Sequence, residues 1–296
     1  MKKLLIICGP TATGKTKLSS TLAKKFDGEL VSADSHHVHR GLDILTGKDL
    51  PTDDTKLWLC DVIKSSEPFS VAQYQRLARG AIADIQARGK LPILVGGTGL
   101  YIRAIVQPID TASVPQNLSL RDKLNKAAVP ELQNTLSRID PKKWKQMNTS
   151  DRQNPRRLVR AIEVATWSKN HKKANVQKMP SYDTLWIGLT GSRELLKEHV
   201  EKRVRARFDH GVIEEVKRCC TDRTTALGFS IVRRYIAREI HKEEAIKRWT
   251  TQEFTYAKRQ MTWFKKEQGI QWIDVSDTGF YQKVEALVRQ WYTCRV

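Results

Sequence analysis

The 296-residue chain is expected to form an α/β fold, a doubly wound parallel sheet with a helical insertion domain, and three observations predict it. Short apolar runs at Leu4 to Cys8, Leu30 to Ala33 and Leu91 to Val95 read as strands buried on both faces. Helix-forming stretches, Lys17 to Lys25 and the amphipathic Val71 to Arg88, alternate with them, as a parallel sheet requires. Directly after the first run, Gly9-Pro10-Thr11-Ala12-Thr13-Gly14-Lys15-Thr16 completes the pattern G-x-x-x-x-G-K-[ST].

That first strand ends in a loop feeding a helix, so several backbone N–H groups converge on one point where a di- or triphosphate can sit. The core is therefore P-loop NTPase-like. Gly9, Thr11, Ala12, Thr13, Gly14, Lys15 and Thr16 are the expected phosphate binders, with Lys15 on the outer phosphates and the Thr16 hydroxyl on Mg²⁺, a cation that prefers hard oxygen. The motif leaves open which phosphate compound binds and what becomes of it. The second strand leads into Ser32-Ala33-Asp34-Ser35. Doubly wound topology puts Asp34 beside the phosphate loop, as a metal ligand, a proton acceptor or a helix cap. The Leu91 to Val95 strand ends in Gly96-Gly97-Thr98-Gly99-Leu100-Tyr101, where paired glycines permit close backbone approach and Thr98 offers a hydroxyl at the same sheet edge.

From Ser113 to Pro180 the strand signals fade into basic helical segments, 120–125, 131–137 and 156–166. Thr184 to Leu189 returns the chain to the sheet. The expected division is a core of 1–112 with 184–296 and an insertion of 113–183. Three C-terminal helices are expected at 195–219, 231–240 and 242–266. On the first, Arg203 and Arg207 lie four apart, opposite the stripe Leu196, Val200, Val204 and Val212. They form either a phosphate clamp or a solvated face.

Fifty-two Lys+Arg against 32 Asp+Glu leave a net charge of +20, which points to a polyanionic partner, nucleic acid first. Two segments suit that partner. Asn154 to Arg160 is basic and opens a helix, and Tyr256 to Phe264 interleaves Lys258, Arg259 and Gln260 with aromatics that can stack on bases. Five cysteines show no C-x-x-C pair or zinc spacing, so a reduced, cytoplasmic setting is expected. His36, His37 and His39 lack a further ligand at helical spacing and are not read as a zinc site. No run approaches the roughly 20 apolar residues of a membrane span, so no membrane partner is expected.

Taken together, these residues resemble the bacterial tRNA dimethylallyltransferases (tRNA isopentenyltransferases), nearly end to end. The resemblance rests on Gly9 to Thr16, on Asp34-Ser35 with Arg40 to Ile44 and Thr46 to Lys48, and on Leu91 to Tyr101. It continues through Asn154 to Val164, Arg203-Val204, Gly211 to Val216 and Tyr256 to Phe264. It implies transfer of a dimethylallyl group from dimethylallyl diphosphate to N6 of the adenosine beside the tRNA anticodon, with Mg²⁺, by a monomer. Implied catalytic residues are Asp34, Thr98 and Arg203. Implied contacts to the anticodon stem-loop are Asp34, Ser35, His36, His37, Thr98, Asn154, Arg156, Arg157, Lys258, Arg259 and Gln260. The sequence departs from the family where His37 and His39 replace a usual Gln and Tyr and where Leu57-Trp58 replace a His-His pair. Phe229 also replaces a Tyr, and a Glu soon after it is missing. These departures bear on recognition rather than diphosphate chemistry. Competing readings are a prenyltransferase acting on free adenine nucleotides, a P-loop small-molecule kinase, and a nucleic-acid binder without catalysis.

Overall fold

The structure is a computed structural model describing residues 2–51, 54–109, 111, 114–171, 180–219, 224 and 226–293. In chain order its strands are β1 (Lys2–Cys8), β2 (Gly28–Ser32), β3 (His39–Arg40), β4 (Leu57–Trp58), β5 (Ile63–Lys64), β6 (Leu91–Gly96), β7 (Tyr182–Thr190) and β8 (Ile270–Asp274). Six make one parallel sheet, ordered β4-β2-β6-β1-β7-β8, while β3 pairs with β5 alone.

Side chains alternate across a strand, so β1 must be apolar at both parities to be buried on both faces. Leu4, Ile6 and Cys8 enter one layer with Tyr74, Ile82 and Ile85 of helix Val71–Ala87 and Ile102 and Ile105 of helix Gly99–Val106. Leu5 and Ile7 enter the other with Leu18 and Leu22 of helix Lys15–Lys25 and Val284 and Val288 of helix Phe280–Thr293. Ser70 starts the helix at Val71 with a reciprocal capping box to Gln73. Its Tyr74 hydroxyl then donates to Ser32 O at 3.0 Å, anchoring the end of β2.

A third cluster gathers helices Arg193–Asp209, Val212–Arg218, Phe229–Ile236 and Lys242–Phe264 around Trp249, which is fully buried. The single helix expected over 195–219 is two, broken at Gly211, whose φ of +93° is left-handed. The helix expected over 231–240 is Phe229–Ile236. Strand β8 and helix Phe280–Thr293 were not foreseen. β8 is a half-exposed edge strand, so it lacks the continuous apolar run that marks a central one.

The chain divides into two units, one of residues 1–107 with 180–296 and one of residues 108–179. The expected boundary at Ser113, and Cys220 and Cys294, lie outside the described residues. The smaller unit packs Leu132, Leu136, Leu158 and Ile162 from helices Val129–Ile139 and Pro155–Asn170. Its buried Glu163 accepts from Asn117 N at 2.6 Å and from Arg121 Nε at 2.9 Å, and pairs with Arg160. Among the described residues no helix is long and apolar enough to cross a membrane.

Arg207 corrects the expectation of a shared exposed face with Arg203. It is 5% exposed and its Nη1 donates to Glu253 Oε1 at 2.7 Å, with Glu253 itself 7% exposed, and it stacks 4.9 Å from the Trp249 ring. The pair joins helices Arg193–Asp209 and Lys242–Phe264. Glu253→Ala strands a buried guanidinium and is expected to cost about 3–5 kcal/mol in urea unfolding, more than Arg207→Met combined with Glu253→Leu, which removes both charges. A loss under about 1 kcal/mol for Glu253→Ala would contradict a buried pair, since only exposed pairs are that weak.

Candidate active site

The carboxyl ends of β1, β2 and β6 place three loops around one cavity, and each loop is shaped by close packing at the sheet edge. At Gly9, φ is +132°, and a Cβ there would stand 2.4 Å from Leu189 O at the end of β7, so only glycine fits. Ala12 (φ +66°) and Gly14 (φ +76°) also adopt left-handed backbone, turning the loop into helix Lys15–Lys25. Lys15 Nζ donates to Pro10 O at 2.6 Å and Thr13 Oγ1 to the same oxygen at 2.9 Å, which closes the loop on itself. The helix carries no acidic residue in its first turn, leaving its positive end free to favour an anion.

The β2 and β6 loops are bound together by backbone. Ala33 N donates to Val95 O at 2.7 Å and Thr98 N to Ala33 O at 3.0 Å. Asp34 is thereby fixed between them, and its Oδ1 accepts from His36 N at 2.9 Å. This is a turn, so the helix-cap reading of Asp34 does not apply. The Thr98 hydroxyl accepts from Ser35 N at 3.0 Å and lies 3.2 Å from Ser35 Oγ.

Arg203 reaches the phosphate loop from helix Arg193–Asp209. Its Nη1 donates to Thr11 Oγ1 at 2.9 Å, its Nη2 to Gly47 O, and it pairs with Asp49 at 3.0 Å. The cavity is lined by Gly14, Lys15 and Thr16 from the loop, Asp34, His36 and His37 from the β2 end, Asp49 and Arg203, with Leu45, Leu57, Val95 and Leu227 as its apolar portion. Burial pulls the Lys15 ammonium down to about 8, with Asp34 opposing and Arg203 reinforcing the shift. Burial alone would raise the Asp34 carboxyl. The His37 and His36 rings, the His36 N–H and Lys15 outweigh it and hold the carboxyl below its ordinary range. Burial holds His37 below its ordinary value, against the pull of Asp34.

Helix Lys242–Phe264 supplies a wall that the sequence reading missed. Glu253, Tyr256 and Gln260, spaced i, i+3 and i+7, face the cavity. The available signal was two polar residues, Glu253 and Gln260, at core-facing positions of a helical repeat. Gln260, expected on the nucleic-acid surface, is 5% exposed. Its Oε1 accepts from Thr11 N at 2.9 Å and its Nε2 donates to Gly97 O at 3.0 Å. Its amide is therefore engaged within the protein, and so is the Thr11 N–H that was expected to face a phosphate. Lys258 and Arg259 are exposed on the same helix, and the Lys258 Nζ lies 4.9 Å from the Phe254 ring. In the smaller unit Asn154 is half-buried and starts a helix. Its side chain caps helix Pro155–Asn170 by accepting from Arg157 N at 3.3 Å. Arg156 and Arg157 are exposed there, Arg157 paired with Asp151.

The family model described as IPP transferase matches residues 37–267. A tRNA dimethylallyltransferase of Anoxybacillus flavithermus is 37% identical, over 95% of this chain and 93% of that one. Its counterpart from Halothermothrix orenii is 38% identical over 97% and 92%. Among solved structures, the tRNA isopentenylpyrophosphate transferase of Bacillus halodurans superimposes with a TM-score of 0.72 at 33% identity, covering 98% of this chain and 97% of that one. A eukaryotic dimethylallyltransferase described as acting on tRNA gives a TM-score of 0.83 at 26% identity, over 100% of this chain and 81% of that one.

Because Lys15 loses its charge near pH 8, affinity for an unreactive alkyl diphosphate is expected to fall as pH rises through about 8, approaching tenfold per unit, since only the ammonium form pairs with the anion. Lys15→Arg keeps its charge and is expected to flatten the profile. Calorimetric titrations of both proteins from pH 7 to about 9.5 check this. A wild-type Kd constant across that range would rule out Lys15 as the titrating phosphate ligand.

Proposed function

The chain belongs to the IPP transferase family, and on that premise we propose that it transfers a dimethylallyl group from dimethylallyl diphosphate to N6 of the adenosine beside a tRNA anticodon, releasing diphosphate. The observation that carries this reading is that Lys15, Arg203 and Asp34 line one cavity. A cationic anion site and a carboxylate thus meet where a leaving group and a nucleophile must meet.

In the proposed reaction the donor's allylic carbon–oxygen bond breaks as the N6 lone pair forms the new carbon–nitrogen bond. Lys15 and Arg203 stabilise the charge gathering on the departing diphosphate, as do the N–H groups opening helix Lys15–Lys25. Asp34 accepts a hydrogen bond from N6 and takes its proton. A carboxyl held below its ordinary range is a weak base, so proton transfer follows the build-up of positive charge on nitrogen rather than preceding attack. N6 is a poor nucleophile, and holding it in line with the allylic carbon supplies much of the rate. Thr98, bonded to Ser35 beside Asp34, acts by orienting that loop.

Thr16, Asp34 and Asp49 give the cavity hydroxyl and carboxylate oxygens, the hard donors that suit Mg²⁺. Thr16 together with the donor's phosphates would hold the ion, which supplies further charge neutralisation on the leaving group. We assign stem-loop binding to Lys258 and Arg259 in the larger unit and to Arg156 and Arg157 in the smaller, all exposed. The target adenosine must leave its stack to enter, at a cost of a few kcal/mol. A monomeric, cytoplasmic enzyme accompanies this reading, and the free thiols of Cys8 and Cys60 suit a reducing compartment.

Incubation of the chain with an unmodified anticodon stem-loop, Mg²⁺ and dimethylallyl diphosphate is expected to add one five-carbon unit to adenosine, read by mass spectrometry. Asp34→Asn is expected to lower kcat by about 10²–10⁴, the range of a lost general base. Absence of any adduct from the wild-type chain would contradict the assignment.

A further inference from the structure

We infer that Gln260 is a positioning residue for the transfer step, locking the phosphate loop to the Gly96–Gly99 loop and so fixing the separation between leaving group and acceptor. The inference rests on the reaction proposed above. Its first support is that one planar amide serves both loops. Oε1 accepts from Thr11 N at 2.9 Å and Nε2 donates to Gly97 O at 3.0 Å. A Cβ on Gly97 would stand 2.1 Å from Nε2, so glycine at 97 is what admits the amide. The bond to Gly97 is buried and the bond to Thr11 partly so, and a partner left unmet out of water is costly.

The second support is what lies beyond each loop. On the donor side, Thr11 also accepts from Arg203 Nη1 through its hydroxyl at 2.9 Å. On the acceptor side, Thr98, next to Gly97, holds Ser35 N at 3.0 Å, next to Asp34. An unbroken path of hydrogen bonds and adjacent residues therefore runs from Arg203 through Thr11, Gln260, Gly97, Thr98 and Ser35 to Asp34. Tyr256, one turn earlier on the Gln260 helix, lines the same cavity. The side chain must be a donor and an acceptor at once. Glutamate would set a carboxylate against Gly97 O, methionine fills the volume with neither function, and asparagine is one methylene short.

The test uses full-length Gln260→Met and Gln260→Glu in single-turnover transfer, with donor and stem-loop both saturating. Circular dichroism at the assay temperature shows that each variant is folded. Kd values are measured separately for the stem-loop and for an unreactive thio analogue of the donor. Gln260→Met is expected to lower the transfer rate about 100-fold with both Kd values within about threefold of wild type, the pattern of lost alignment rather than lost binding. Gln260→Glu keeps the acceptor for Thr11 and is expected to fall between Met and wild type. A merely structural role would not move a second readout. With the acceptor misplaced, water adds to the allylic carbon as diphosphate departs, so the ratio of dimethylallyl alcohol to prenylated RNA rises.

An unchanged rate in Gln260→Met overturns the inference, and so does a loss matched by weakened binding of either ligand or an unchanged alcohol ratio. If the wild-type chain forms no adduct, the proposed reaction falls and this inference with it. Wild-type transfer alongside an unaffected variant removes the inference alone.

Discussion

Two hydrogen bonds made by one residue, Thr11, fix the relation on which the cavity depends. Its N–H is held by Gln260 and its hydroxyl by Arg203. The loop from Gly9 to Gly14 belongs to no helix or strand, and each residue left free in such a segment carries about 1–2 kcal/mol of conformational entropy to be overcome. Regular structure restrains it at its two ends only, through β1 and helix Lys15–Lys25. Arg203 and Gln260 add anchors from helices far away in sequence. The phosphate site is thus built by the whole of the larger unit rather than by its motif alone.

The same arrangement resolves an electrostatic conflict. Lys15, Arg203 and Arg207 are three cations set close to one another, which would repel strongly in a poorly solvated interior. Arg207 is neutralised by Glu253 behind the cavity wall, and Arg203 is shared between Asp49, Gly47 O and Thr11. Lys15 retains Asp34 as its main compensating charge. Burial, with Arg203 adding to it, lowers its pKa further than Asp34 can restore, and an incoming diphosphate supplies the missing negative charge. Against the burial that would neutralise it, Asp34 is kept ionised by the His37 and His36 rings, the His36 N–H and Lys15, so the carboxylate can serve as a proton acceptor.

How much of this was legible in the sequence depended on the range of the interaction. The central strands and the phosphate loop were readable because their signals are local: continuous apolar runs and fixed glycine spacing. The break at Gly211 was not, since a single glycine in a helical pattern is often tolerated. β8 was missed because an edge strand half open to solvent has no distinctive composition. At the site, Asp34, Lys15 and Thr16 could be placed together by topology, because each stands at a strand end or opens the adjoining helix, while Arg203 was placed there only by the family resemblance. Gln260 and Arg207 were misplaced for a common reason. Polar side chains in a basic or amphipathic stretch look solvated until the fold shows which carbonyl, amide or carboxylate they meet. Gln260 meets residues 249 and 163 positions away in sequence, and no local pattern reports such a meeting.

The most direct measurement is a crystal structure of the chain with an unreactive thio analogue of dimethylallyl diphosphate and an unmodified anticodon stem-loop. The account predicts diphosphate oxygens against Lys15 Nζ, Arg203 and the N–H groups of Thr13 to Thr16, with Thr11 N still held by Gln260. It also predicts the adenosine N6 within hydrogen-bond reach of Asp34 and facing the allylic carbon. A diphosphate bound away from the Gly9 to Thr16 loop, or an N6 remote from Asp34, would contradict it.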